Sequence, residues 1–259
     1  MNISLFQIDA FTGRQFGGNP AAVCPLDGWI SDSLMQDIAG ENNLAETAFF
    51  VRNGGCFDLR WFTPEMEVDL CGHATLAAAF VIFQYIDTSL EEVEFSTQSG
   101  VLRVEKEGDL LAMDFPSRPP VEERIEEELI PALGTAPVTV LKSRDYFAVY
   151  ETENQIRDLN PDFTLLSRLE CLGVIVTARG SETDFVSRFF APGAGIPEDP
   201  VTGSAHCTLI PYWAEVLGKK TLHARQLSSR GGEIFCEDLG GRVKIAGKAV
   251  KYLEGEITV

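Results

Sequence analysis

The sequence RWFTP at residues 60–64 leads through EMEVDL at 65–70 into CGHATLAAAFVIF at 71–83. The same order recurs later, where RFFAP at 188–192 leads through GAGIPED at 193–199 into PVTGSAHCTLIPYWAEVL at 200–217. Each copy has an aromatic strand closed by proline, an acidic loop, a glycine and a hydrophobic helix. A repeat of this length predicts a duplicated fold with a pseudo-twofold axis.

Each predicted helix begins at a glycine, Gly72 or Gly203, followed by small and polar residues. The first N–H groups of a helix have no partner within it, and together with the helix dipole they favour an anion. The segment 76–83 is apolar nearly all round, which is typical of a helix inside a domain. We therefore expect the two helix starts to line a cleft between similar halves and to bind a carboxylate there.

Charge and length restrict the classes of function. The chain has 259 residues and a net charge of -18, and a surface without excess basic residues disfavours nucleic acid and anionic membranes as partners. The acidic run 122–128 is interpreted as the solvated face of a helix over 122–133. No signal peptide or membrane span is evident, so a cytoplasmic location is expected. The six cysteines have no zinc spacing and are expected to be mostly free thiols.

Alternating apolar and polar residues predict strands along most of the chain, beginning with residues 3–11. Three prolines within 116–120 disfavour both helix and sheet and mark a boundary. The predicted fold class is α+β, with two similar halves that each wrap a curled, mostly antiparallel sheet around one buried helix. The first half is residues 1–115, to which 248–259 return, and the second is residues 116–247.

Glu46 is a candidate acid/base group because it stands between a predicted helix and an apolar strand. In a largely buried cleft, desolvation would raise its pKa toward neutrality, where a carboxyl group can both take and return a proton. A surface glutamate at the start of a strand fits the same spacing, since glutamate is seldom buried.

Three further residues next to the glycines have more than one interpretation. His73 could transfer a proton, its neutral form favoured by the positive helix end, or it could serve only as a packed or capping residue. Asp199 could act at the second helix start or form an ordinary turn. Cys71 could be a base, but a two-thiol racemase needs a second cysteine where this chain has Thr202, so a packed thiol is favoured.

Several long motifs resemble those of the PhzF-like family, the phenazine-biosynthesis group of the diaminopimelate epimerase superfamily. They are GNPAAV at 18–23, NLAETAF at 43–49, RWFTP with DLCGHAT at 60–75, and FAP with EDPVTGSA at 190–205. The resemblance runs from the first strand to LEGE at 253–256. It implies two halves, each a sheet curled around a central helix, with the active site between them.

The resemblance also implies roles for individual residues. Glu46 matches the acid/base glutamate of the family, and His73 and Asp199 match its other catalytic residues. Gly72, Ala74, Gly203 and Ser204 match the positions that line the substrate carboxylate site. The family enzyme moves a proton between carbons of a cyclohexadienyl amino acid without cofactor or metal, and the same is expected here, with a small carboxylate as substrate and a homodimer as the assembly.

The sequence thus predicts a cofactor-independent isomerase in which Glu46 carries the proton. One alternative is a one-thiol racemase or a dehydratase in which Cys71 is the base. Another is a binding protein that keeps the fold without turnover.

Overall fold

The computed structural model describes residues 1–259, apart from the side chain of Ala194. The chain divides into two compact units, residues Met1–Asp114 with Ala246–Val259 and residues Phe115–Ile245. Both are built on mixed sheets with few helices, which confirms the predicted α+β class. None of the helices in the described chain has the length and hydropathy that a membrane crossing requires.

The first unit orders its main strands β16-β1-β2-β3-β4-β6-β7-β8, with β5 paired to β4. The strands are β1 (Asn2–Ala10), β2 (Asn19–Leu26), β3 (Glu46–Asn53), β4 (Cys56–Phe62), β5 (Glu67–Val68), β6 (Glu92–Thr97), β7 (Gly100–Glu107), β8 (Leu110–Pro116) and β16 (Ala249–Thr258). Its helices are α1 (Asp32–Asn42) and α2 (Gly72–Val81), and α2 continues into a π-helical segment at Ile82–Ile86.

The second unit orders its strands β15-β14-β13-β12-β11-β10-β9. They are β9 (Thr139–Lys142), β10 (Tyr146–Val149), β11 (Val174–Arg179), β12 (Phe185–Phe190), β13 (Thr221–Gln226), β14 (Gly232–Asp238) and β15 (Arg242–Gly247). Its helices are α3 (Leu129–Leu133), α4 (Glu153–Asp158), α5 (Phe163–Leu166) and α6 (Gly203–Leu217).

Helix α2 is buried along almost its whole length, as its composition predicts. All its residues except Gly72 and Phe80 are buried, including three consecutive alanines that let the surrounding strands approach closely. Burial of a helix leaves its first-turn N–H groups without water, so whatever surrounds residues 71–74 must satisfy them. The start of α2 is therefore a place where polar groups gather inside the first unit.

One predicted helix is wrong over half its length. Residues 122–128 are not helical, and only α3 (Leu129–Leu133) forms within the predicted segment 122–133. A helix through this run would place Glu122 beside Glu126 and Glu123 beside Glu127, and like charges four residues apart destabilise a helix. In the irregular segment that forms instead, the exposed carboxylates are solvated separately, and Glu126 accepts hydrogen bonds from the Tyr146 hydroxyl and the Glu170 backbone N–H.

Candidate active site

Glu46 stands where two parallel strands begin. Helix α1 ends in a left-handed turn at Asn43, with φ of 49°, and β3 starts three residues later at Glu46 itself. Strand β2 runs parallel to β3 with Ala21 opposite Glu46, so both strands present their amino ends at the same edge. The Glu46 side chain is only 13% exposed, so the interpretation as a surface glutamate is wrong.

His73, the second residue of α2, meets Glu46 at this edge. Its Nε2 atom lies 3.0 Å from Oε2 of Glu46, although the angle is outside that of a hydrogen bond. The imidazole is 7% exposed. Close contact with imperfect alignment is common at catalytic hydrogen bonds that tighten only around a substrate. The structure therefore brings together two of the three predicted catalytic residues.

Cys71 and Asn19 contact the other ring nitrogen of His73. The Sγ atom of Cys71 lies 3.5 Å from Nδ1, and Nδ2 of Asn19 lies 3.2 Å from the same atom. Cys71 is 7% exposed and Asn19 is fully buried. Asn19 is a site residue that the sequence reasoning missed, although it lies in the motif 18–23, where a polar side chain precedes an apolar strand.

The backbone before Asn19 explains its position. Gly18 has φ of +62°, and a Cβ atom there would lie 2.0 Å from the carbonyl oxygen of Ala10. Only glycine lets the chain turn this tightly against the end of β1 before β2 begins. The turn delivers Asn19 to the first position of β2, from which its amide reaches His73.

The pKa values of Glu46 and His73 depend both on burial and on the contact between the two side chains. Burial would raise the pKa of Glu46, but the charge of His73 and contacts with His73 and Cys71 outweigh burial and lower it. Burial would likewise lower the pKa of His73, but Cys71 and Glu46 raise it well above its ordinary value. The expectations of a Glu46 pKa near neutrality and of a neutral His73 are therefore wrong.

The thiol of Cys71 is protonated at neutral pH. Burial, the largest influence, and the nearby charge of Glu46 raise its pKa to about 11. The negative charge facing the His73 ring at neutral pH is therefore that of Glu46. The lowered pKa of Glu46 and the raised pKa of His73 favour an ionised carboxylate beside a protonated ring; Nδ1 then carries a hydrogen, which the Asn19 amide accepts only if its oxygen faces the ring.

Glu46, Cys71 and His73 are also the set of potential metal ligands that the described residues bring within 4.8 Å of one another. The sulfur contacts Nδ1 and the carboxylate contacts Nε2, which lie on different edges of the imidazole ring. A single ion takes one ring nitrogen as ligand. The arrangement suits proton transfer along the ring better than chelation.

Asp199, the third predicted catalytic residue, lies in the second unit. Its Oδ2 accepts a hydrogen bond of 2.5 Å from the hydroxyl of Thr202, the residue before α6. Nε2 of Gln226 donates to the Asp199 carbonyl at 2.8 Å, while Oε1 of Gln226 accepts from the Thr202 backbone N–H at 2.9 Å. Asp199 is thus held firmly beside the start of α6.

The four predicted substrate-binding residues occupy the first turns of the two buried helices. Gly72 and Ala74 are the first and third residues of α2, and Gly203 and Ser204 are the first two of α6. Neither helix has a side-chain hydrogen bond from its N-cap residue. Their substrate contacts stay predictions.

The acidic loops have a structural task in each unit. Arg60 binds Glu67 through two hydrogen bonds of 2.7 Å, and Arg188 binds Glu198 through bonds of 2.7 and 3.0 Å. Bidentate pairs of this kind fix geometry. Glu67 and Glu198 therefore hold the loop that leads from strand to helix.

The remaining histidines have structural partners. Nδ1 of His206 lies 2.8 Å from the carbonyl of Thr202 one turn earlier, and burial lowers its pKa to about 4. His223 pairs with Glu233 at 2.8 Å. All six cysteines are free thiols.

Known proteins match the chain over its whole length. It is 55% and 52% identical to two uncharacterized isomerases of Pseudomonas aeruginosa, in both cases over 99% of each chain. The crystal structure of a PhzF family protein from Enterococcus faecalis superposes with a TM-score of 0.98 at 47% identity, covering 100% of both chains. Likeness of this extent to proteins named isomerases makes the chain an enzyme of the isomerase class.

The model of one protein family, described as phenazine biosynthesis-like protein, matches residues 8–255. The matched segment includes Glu46, His73 and Asp199 and leaves only a few residues at either end. The chain therefore belongs to the PhzC-PhzF family of phenazine biosynthesis-like proteins.

Proposed function

We propose that this isomerase moves a proton on a small amino-acid-like or cyclic carboxylate without a cofactor, and that Glu46 carries the proton. The observation behind the proposal is the largely buried carboxylate of Glu46 at 3.0 Å from the His73 imidazole. A buried, paired acid and base at one strand edge is the constellation that general acid–base catalysis requires.

The chemistry follows from the resting charges. Glu46, ionised at neutral pH, accepts a proton from a carbon next to a carboxylate or enamine, and the electron pair left behind shifts into a new double bond. The positive charge of His73 stabilises the negative charge that develops on the substrate. Glu46 then returns the proton to a different carbon, so the double bond moves and the atoms balance.

Other residues would hold the substrate while Glu46 acts. Gly72, Ala74, Gly203 and Ser204 would offer helix-start N–H groups to its carboxylate, and Asp199 would orient it. The expected assembly is a homodimer, which sedimentation equilibrium would test.

The alternative in which Cys71 is the base is less well supported. A thiol with a pKa of about 11 is almost wholly protonated at neutral pH, whereas Glu46 is ionised. A racemase or dehydratase acting through Cys71 would lose its activity in Cys71→Ser and keep it in Glu46→Gln. The proposal requires the opposite pattern.

The test is solvent-deuterium incorporation into acids that raise the melting temperature of the wild-type protein. Candidate ligands are small cyclic amino acids and anthranilate-like carboxylates, because ligands of the native state raise its apparent stability. Glu46→Gln should abolish incorporation and leave binding nearly intact, while Glu65→Gln, at an exposed site in the same unit, should match the wild type.

Unchanged exchange in Glu46→Gln would contradict the role of the glutamate. No exchange by the wild-type protein in any acid that it binds would instead favour a binding protein that has kept the fold.

A further inference from the structure

The strand registers identify which residues of the second unit occupy the positions of the Glu46–His73 pair. In the first unit Thr47 faces Phe62 and also Ala22, and in the second Val174 faces Phe190 and also Tyr146. Both units combine a parallel pair, β2 with β3 or β10 with β11, with an antiparallel neighbour, β4 or β12.

With Phe62 matched to Phe190, Thr47 corresponds to Val174 and Ala22 corresponds to Tyr146. The residues that precede these four can then be compared. Gly173 then stands where the first unit has Glu46, and Asp145 stands where it has Ala21. Ser204 follows the helix glycine as His73 does. The second unit thus lacks the proton-transfer pair and has a different polar group, Arg144, next to Asp145 in the sequence.

That group is an arginine fixed from two sides. Nη2 of Arg144 donates to Oγ of Ser204 at 2.9 Å and to Oδ2 of Asp145 at 3.1 Å. Asp145 is 2% exposed, whereas the Arg144 side chain is 38% exposed. A buried carboxylate therefore holds a guanidinium that solutes can reach.

The open groups on Arg144 and Ser204 are donors, while the buried Oδ1 of Asp145 is an acceptor without a partner. Its Nη1 atom has no hydrogen-bond partner among the described side chains and backbone, so two N–H bonds are open. Since the Ser204 oxygen accepts from Arg144, its hydroxyl hydrogen is free to donate. The first-turn N–H groups of α6 lie at the same end of the helix.

A second arginine adds to the positive charge. The backbone N–H of Arg118 donates to the carbonyl of Cys207 in α6 at 2.9 Å. The charge of the Arg118 guanidinium acts to lower the pKa of both Asp145 and Cys207. Within the described part of the chain, no carboxylate forms an ion pair with Arg118. Burial raises the pKa of Asp145 despite Arg144 and Arg118, so its negative charge is not fully stabilised there.

Two guanidinium groups and a positive helix end are accompanied here by two carboxylates, that of Asp145 beside Arg144 and that of Asp199 beside Thr202. Cations are unfavourable at the start of a helix, yet Asp145 and Ser204 hold Arg144 there. The open N–H groups of Arg144 and the hydroxyl hydrogen of Ser204 are donors, which fits an anionic ligand.

We propose that Arg144, which is hydrogen-bonded to Ser204 at the start of α6, makes the protein select ionised small acids over their neutral amides. The choice of a small acid as ligand rests on the proposed function. The role of Arg144 as the charged, selecting group does not follow from the helix start alone.

The experiment is isothermal titration of the full-length protein with anthranilate and with 2-aminobenzamide, its neutral amide. Loss of a charged hydrogen bond should weaken anthranilate binding at least about tenfold in Arg144→Gln. Binding of 2-aminobenzamide should change less than about twofold, because the amide carries no charge for Arg144 to attract. Arg157→Gln, which removes another arginine that pairs with an acid in the same unit, should bind both as the wild type does.

Removal of Arg144 leaves Asp145 buried without its partner and can destabilise the unit. Arg144→Gln combined with Asp145→Asn avoids this and should show the same selective loss, and Ser204→Ala should weaken anthranilate while keeping the arginine. Equal loss of both ligands, equal weakening in Arg157→Gln, or no measurable anthranilate binding by the wild type would overturn the proposal.

Glu46→Gln separates this proposal from the proposed function. It should keep anthranilate binding and selectivity while proton exchange is lost. If exchange survives in Glu46→Gln, the catalytic assignment fails, and the titrations of Arg144→Gln still decide the role of Arg144.

Discussion

At the scale of single residues, the site depends on two ionisable groups that change each other's proton affinity. Isolated in the same dry surroundings, Glu46 would be held neutral by burial and so would His73. Side by side, each lowers the cost of charging the other, which lowers the pKa of Glu46 and raises the pKa of His73. Burial provides the low dielectric around Glu46 and His73, and the contact between them determines the direction in which each pKa moves.

These charges predict the pH dependence of proton exchange. The proposed mechanism needs ionised Glu46 and protonated His73, so it predicts that activity is lost as pH falls through the lowered pKa of Glu46 or rises through the raised pKa of His73. The acid limb should lie below about pH 4.3 and the alkaline limb above about pH 6.5, the ordinary values. Rates of deuterium incorporation between these limits should form a plateau, and an alkaline limb at or below the ordinary histidine value would contradict the pairing.

Asn19 can be tested as a positioning residue for His73. In Asn19→Asp a carboxylate would face Nδ1, and an opposite charge at this distance favours imidazolium. The alkaline limb of the exchange rate should move up by about one pH unit. In Asn19→Leu the ring loses its amide contact, and the maximal rate should fall about tenfold with ligand binding retained.

A structural role alone would lower stability without moving the alkaline limb. Asn42→Asp, which alters an amide that contacts Thr47 instead of the imidazole, is the matched control and should leave the limb in place. An unmoved limb in Asn19→Asp would remove Asn19 from the catalytic machinery.

At the scale of elements, the turn between β1 and β2 is the most constrained connection near the site. In Gly18→Ala the new Cβ would lie 2.0 Å from the carbonyl of Ala10 at a positive φ, so β1 and β2 must separate. Gly54 has a similar φ of +61°, and a Cβ atom added there would have no neighbour within 4 Å. Gly54→Ala therefore isolates the cost of the backbone conformation.

Gly54→Ala should lower the free energy of unfolding by about 1–2 kcal/mol, the usual cost of this conformation for alanine. Gly18→Ala should lower it by about 3 kcal/mol or more, because overpacking adds to the same backbone cost. Urea unfolding of both variants measures the difference. Equal losses would show that the chain accommodates the methyl group without moving Asn19.

How much of this arrangement the sequence predicts depends on the range of the forces involved. The repeat locates both helix starts, because a glycine before an apolar run is a local signal. The capping box of Thr152 and Gln155 at the start of α4 is equally local, yet hydrophobic periodicity alone does not reveal so short a helix. The non-helical run 122–128 shows charge repulsion overriding helix propensity.

Contacts between distant residues escape prediction for a different reason. Asn19 meets His73 only because β2 lies parallel to β3 beside α2, and no spacing along the chain encodes that meeting. The same holds for Arg144 and Ser204, which are 60 residues apart. The predicted pKa of Glu46 is wrong because it considers burial without the partner that the fold supplies.

At the scale of the whole molecule, the dominant electrostatic fact is the net charge of -18. Several arginines are committed to internal pairs, such as Arg60 with Glu67 and Arg188 with Glu198, so the unpaired surface is strongly acidic. Self-repulsion of this kind opposes the compact state. It also lowers the local concentration of anionic solutes, which makes a fixed positive group such as Arg144 more valuable for binding an acid.

The excess charge predicts how stability responds to salt. Raising NaCl from about 0.01 to about 0.15 M shortens the Debye length from about 30 Å to about 8 Å and screens repulsion between distant carboxylates, while exposed ion pairs contribute little at either concentration. The melting temperature should therefore rise by a few degrees. Changing Glu122, Glu123 and Glu127 to lysine removes a third of the excess negative charge at exposed positions and should reduce that rise. A melting temperature that falls with salt would mean that the internal ion pairs stabilise the fold more than the surface charge destabilises it.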